Sequence, residues 1–180
     1  VGHWWFEGPQ FNKAVLLGLH SSPFVNAATA VEQLSIVQPQ EVMSIPESSW
    51  GEGGKHEVWM NDETKWTWFL VYHAEKRMAA LMDAYPPASL NKTMRRILTQ
   101  ALRELMLLQA SDWQFLITTV SARDYAEQRF ICHNSDFTRL CDIADNYAAK
   151  KRLAAADKKY LEEVEGRDCI FEEVRLEWWS

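Results

Sequence analysis

The sequence predicts a mainly α-helical bundle that carries one long loop rich in tryptophan and glycine. Apolar residues recur three and four apart over most of the chain beyond residue 60, the period of helices packed lengthwise. Residues 36–63 break that period with Pro39, Pro46 and three glycines. A composition that is 47% hydrophobic and 12% aromatic supplies enough apolar surface for a core in a 180-residue chain, which excludes disorder.

Taken in order, His3-Trp4-Trp5-Phe6-Glu7-Gly8-Pro9 leads into a helix over about 9–20, with Pro9 in its first turn. A shorter helix over about 24–34 follows Ser22-Pro23, and in the loop Val42 to Ile45 could add a short strand. Asn61-Asp62 is a fair N-cap for a helix running to about Tyr85, stopped by Pro86-Pro87. Its stripe is Leu70, Ala74, Met78, Leu81 and Tyr85. The next helix, about 89–109, places Met94, Leu98, Ala101, Leu105 and Leu108 on one seam. A break at Ala110-Ser111-Asp112-Trp113 precedes the apolar run Phe115-Leu116-Ile117. Ser121, with Asp124 three later, predicts a capping pair opening a long helix. That helix's stripe runs Ala122, Ala126, Phe130, His133, Phe137, Leu140, Ala144 and Ala148. A charged helix over about 156–165 should end at Gly166, with the tail extended across the bundle.

Composition also excludes functions. A net charge of −6 argues against a nucleic-acid partner, and no apolar run approaches the ~18 residues of a membrane span. Cys132, Cys141 and Cys169 are odd in number and lack metal-ligand spacing, so they read as small buried hydrophobes in a reducing, cytoplasmic setting. There is no HExxH, and Gly51-Glu52-Gly53-Gly54 lacks the Lys-Ser/Thr of a phosphate loop, so neither metal nor cofactor is expected. The chain begins Val1-Gly2-His3, without an initiator methionine, and is predicted to be part of a longer polypeptide.

Nine tryptophans are unusual for this length, and Trp50 is the most telling. It stands between Ser48-Ser49 and Gly51-Glu52-Gly53-Gly54, where no helix face can bury it. A flat ring there either packs under its own loop or faces a flat, partly apolar ligand, such as the C–H face of a sugar.

Several stretches resemble glycoside hydrolase family 57. Residues 1–9 resemble that family's last conserved region. Residues 48–59, residues 111–119 and Ala122-Arg123-Asp124-Tyr125-Ala126-Glu127-Gln128-Arg129-Phe130, with His133 and Phe137 following, resemble its α-1,4-glucan (glycogen) branching enzymes. The similarity runs over essentially the whole chain in the family's order. It implies a catalytic (β/α) barrel upstream of Val1, with residues 1–20 its last part and residues 21–180 an all-helical C-terminal domain that closes the cleft. It also implies retaining chemistry by a Glu nucleophile and an Asp acid/base, a geometry that needs carboxylates ~5–5.5 Å apart. Both would precede Val1, so this chain alone should hold no catalytic residue.

By the same resemblance Trp50, Trp59 and Asp112 are glucan-contacting positions, and His3 and Trp4 line the donor subsite. Asp112 could accept hydroxyl hydrogen bonds, although a Ser111-Asp112 pair also suits a turn cap. Ser121 stands where relatives often carry a glucan-contacting glutamine; serine is too short for that reach, and helix capping is its better assignment. His56 could bond a sugar or its own loop, and His133 on the apolar stripe reads as a satisfied core histidine. Trp66 and Trp68 read as core and interdomain contacts, and Trp178 and Trp179 as tail anchors. The expected partners are an α-glucan and the upstream barrel. The alternatives are the same domain of an α-amylase-type hydrolase of that family, or a non-catalytic glucan-binding or interdomain scaffold.

Overall fold

The computed structural model describes residues 7–179, apart from the Glu52 side chain. Its contacts divide the chain into residues 1–46 and residues 47–180. The first unit holds α1 (Gly8–Ser21) and α2 (Ala30–Ile36). Pro9 sits in the first turn of α1, as its fixed φ favours. The second helix starts six residues later than the sequence suggests. The reason is a capping box: Thr29 accepts the Glu32 amide while the Glu32 carboxylate accepts the Thr29 amide. Neither helix buries a residue. No strand forms at Val42 to Ile45.

The second unit is a bundle of α3 (Lys65–Ala84), α4 (Lys92–Leu108), α5 (Asp112–Thr118), α6 (Arg123–Lys150) and α7 (Ala155–Arg167). Packing is densest between α4 and α6. Met94, Leu98, Ala101, Leu105 and Leu108 of α4 are all buried, as their spacing predicts. On α6, Ala126, Phe130, His133, Phe137, Leu140 and Ala144 are buried, while Ala148 is partly covered. Ala74, Met78 and Leu81 bring α3 onto the same core, and Trp66 packs edge-on against Phe130 at 5.2 Å.

Four local expectations are corrected. Asn61 does not cap α3; its side chain accepts the amides of Glu63 and Thr64 and shapes the turn before the helix, which Thr64 opens. The run at 112–118, after the expected break, is a helix, because Trp113, Gln114 and Ile117 all find burial there. Ser121 caps nothing: α6 opens at Ala122 without a side-chain cap, and the Ser121 hydroxyl bonds that of Thr119. Gly166 lies inside α7, which runs on to Arg167 because Arg167 and Asp168 are pulled inward by ion pairs.

Those ion pairs belong to a largely buried polar network around Asp168, which is 7% exposed. The Asp168 carboxylate takes Arg167 (2.8 Å) and Arg129 (3.4 Å), and its carbonyl accepts Gln100 (3.0 Å). Gln100 also donates to Glu104 (2.9 Å), which faces His133 Nδ1 at 2.8 Å. Arg129 can only donate, so in its 3.0 Å bond His133 Nε2 accepts, which leaves Nδ1 to donate to Glu104. The core histidine is indeed satisfied. The tail is tied down by Arg95 to Glu177 (2.9 Å), and Val174 and Leu176 are buried. Trp179 packs on the core, whereas Trp178 is 64% exposed.

Candidate functional site

The loop that carries Trp50 is folded by local hydrogen bonds. The Ser49 amide donates to the Gly54 carbonyl (3.0 Å), and the Ser49 hydroxyl accepts the His56 amide (2.7 Å). Gly51 has φ +104 and ψ 178, a region only glycine occupies readily, and a Cβ there would overlap Val58 Cγ2. His56, itself at φ +66, bonds Glu47 at 3.0 Å, so its ring is engaged within the loop.

The loop is then fastened to the bundle at two helices. The Trp59 carbonyl accepts the Thr64 hydroxyl (2.9 Å) and the Trp68 indole N–H (2.8 Å) at the start of α3. The Val58 carbonyl accepts the Thr118 hydroxyl of α5 (2.7 Å), which in turn accepts Asn61 Nδ2 (2.8 Å). Trp68 is thus a loop anchor.

On this base Trp50 is displayed. It is 69% exposed, with its ring centre 5.9 Å from Trp59 and 5.9 Å from Phe115. Trp59 is half-buried beneath it, and its indole N–H is buried without a hydrogen-bond partner among the described residues. Such an orphan donor costs about 1–3 kcal/mol and in a native fold calls for an explanation. Asp112 is exposed in the first turn of α5 and accepts no hydrogen bond among the described residues. It lies three residues before Phe115, so carboxylate and ring share a helix face.

The structure therefore brings Trp50 and Trp59 together, places Asp112 one helical turn from their aromatic support, and sets Ser121 just beyond α5. His3 and Trp4 lie outside the described residues. Phe115, whose ring lies beside that of Trp50, was not among the expected positions. The signal was available in Asp112-Trp113-Gln114-Phe115, had that stretch been read as a helix.

A second cluster has donors that suit a cation: Glu104, His133 and Asp168 offer ligand atoms within 4.8 Å of one another. Arg129 already supplies positive charge there, bonding both His133 and Asp168, so the cluster is an ion-pair network of the core. No helix among the described residues is long and apolar enough to cross a membrane.

Comparison with known proteins shows that this helical domain is similar to the C-terminal domain of a class of carbohydrate-active enzymes. Residues 70–179 match the family described as "1,4-alpha-glucan branching enzyme, C-terminal". The 1,4-alpha-glucan branching enzyme of Thermococcus kodakarensis is 38% identical over 173 residues, 96% of this chain and 25% of that protein. Crystal structures of GH57 branching enzymes from Pyrococcus horikoshii and Thermococcus kodakaraensis, the latter in complex with glucose, match at TM-scores of 0.75 and 0.76. Both are 37% identical and cover 99% of this chain and 32% of theirs. The chain belongs to the family of GH57 1,4-α-glucan branching enzymes, as a C-terminal domain, and spans about a quarter to a third of the length of these relatives.

Proposed function

We propose that this domain holds the glucan chain for a 1,4-α-glucan branching enzyme, with Trp50 as the stacking platform and Asp112 as a hydroxyl acceptor beside it. The parent enzyme would cut an α-1,4 linkage and rejoin the segment as an α-1,6 branch. A domain closing over the cleft serves that outcome by excluding water, which competes with the acceptor for the glycosyl intermediate. The observation that carries this reading is an indole 69% exposed on a loop that is itself tightly fixed. A ring kept dry by its own polypeptide would need no such support.

Docking to the catalytic part of the parent is supported by residues 1–46. That unit buries no residue in either helix, and α1 leaves Phe11 (67%), Leu16 (65%) and Leu17 (55%) exposed. An uncovered apolar face of this kind needs a partner surface, and the remainder of a longer chain fits. The catalytic Glu and Asp, and with them the chemistry, would reside there.

Covering one indole face with a sugar contributes roughly 1.5–3 kcal/mol, about ten- to a hundredfold in affinity. Titration with maltoheptaose, followed by tryptophan fluorescence, should therefore show binding that Trp50→Ala weakens by that factor and Trp50→Phe weakens less. An unchanged affinity in Trp50→Ala would remove Trp50 from the site. In the intact parent, reducing ends accumulating in place of branches would favour hydrolysis over transfer.

A further inference from the structure

A cavity of 420 Å³ opens where α4 begins and α6 gives way to α7. Five of its lining side chains are cationic: Lys92, Arg96, Lys151, Arg152 and Lys158. None is acidic, in a chain with 25 Asp and Glu against 19 Lys and Arg. Two of the five are already paired, Arg96 through both oxygens of Glu165. Arg96 bonds Glu165 (2.7 Å), and Glu162 stands 4.0 Å from Arg96 and 3.8 Å from Lys158. Lys92, Lys151 and Arg152 have no carboxylate partner among the described residues.

Helix electrostatics explain only part of this. Lys150 and Lys151 at the C-terminal end of α6 complement its dipole. Lys92 does the opposite. It is the first residue of α4, whose first turn holds no acidic residue, and there the dipole disfavours a cation. Lys151 also occupies a left-handed position, φ +52, where glycine is the usual choice. Like charges are thus gathered against local preference around one hollow, in a protein that is acidic overall. The remaining lining residues are Thr93, Tyr147 and Leu153.

We infer that this cavity binds a phosphomonoester anion. A guanidinium and several ammonium groups offer its oxygens charge-assisted hydrogen bonds. The Tyr147–Leu153 wall suits the carbon body of a small organic phosphate. The inference is independent of the glucan site, which lies on other elements.

The test is calorimetric titration of the full chain with inorganic phosphate and with glucose 6-phosphate, against chloride at matched ionic strength. The variant is Lys151→Gly with Arg152→Ala, since glycine suits the backbone at 151. Lys76→Ala on α3 is the control. Binding of both phosphates, weakened about tenfold or more in the double variant and unchanged in the control, is expected. Tighter binding of the hexose phosphate would assign the apolar wall to a sugar, and equal binding would make the phosphate group the whole determinant. No binding beyond that of chloride, or binding that the double variant leaves intact, overturns the inference.

Discussion

Gly51→Ala is the sharpest probe of how the loop presents Trp50. At φ +104 and ψ 178 the backbone lies in a region that costs a non-glycine residue about 1–3 kcal/mol. The added methyl also meets Val58 Cγ2, the tip of a β-branched side chain with little rotamer freedom, and such overpacking costs about 1–3 kcal/mol. The combined strain, roughly 2–6 kcal/mol, falls on the loop and not on the α4–α6 core. Thermal unfolding should therefore change little, while maltoheptaose affinity, read by fluorescence or calorimetry, should fall more than about tenfold as the displayed state becomes less populated. Adding Val58→Ala removes the overlap but not the backbone cost, so the double variant should recover part of the loss. If Gly51→Ala binds like the unmodified chain, the strain, or the link between loop geometry and binding, has been misjudged.

Thr118→Val keeps the side chain's shape but leaves the Val58 carbonyl and Asn61 each one bond short, about 1–2 kcal/mol; amide exchange should quicken at residues 49–61 and stay slow in α4 and α6. His133→Phe leaves the Glu104 carboxylate buried with only Gln100 as donor, and denaturant titration should show a loss of about 3 kcal/mol. Burial pushes the Cys141 thiol up to about 12 and, together with the bond to Asp136, raises that of Cys132, while Cys169 is exposed. Iodoacetamide at about pH 8 should therefore alkylate Cys169 first and Cys141 only after denaturation, as mass spectrometry would show; early modification of Cys141 would contradict its burial.

The long helices were legible because each repeats its apolar spacing over many turns. Met94 to Leu108 and Ala126 to Ala144 leave little choice of face. The seven-residue α5 was not, because it is too short to show a period, and Phe115-Leu116-Ile117 alone suits a strand equally well. What makes it helical lies elsewhere in the chain: Trp113 over His133 at 6.0 Å, Gln114 donating to Thr67 at 3.0 Å, and Thr118 reaching Val58. The burial of Asp168 was not legible for the same reason. Its partners Arg129 and Gln100 are 39 and 68 residues away, and sequence spacing carries no sign of them. Trp50 was readable because its neighbours, serine and glycine, announce a turn whatever packs beneath. The basic hollow was not, since Lys92 and Lys151 come to line one cavity only through the packing of α4 against α6.

The polar residues of this domain divide into two groups with opposite effects. Those around Asp168 and His133 are mostly buried, and they tie α4, α6 and α7 to one another. Those around Trp59 stand at the rim, where a single carbonyl receives both the Thr64 hydroxyl and the Trp68 indole. Trp50 is consequently held by α3 and α5 through their grip on Val58 and Trp59, more than by its own serines and glycines. In the stacking role proposed for Trp50, this arrangement reconciles two demands that usually conflict. A stacking surface must stay exposed, which forbids burying it for stability, yet it must not wander, because ordering a mobile ring on binding consumes affinity. Anchoring the residue beneath the ring meets both, and it explains why a loop with three positive-φ glycines lies against two helix ends.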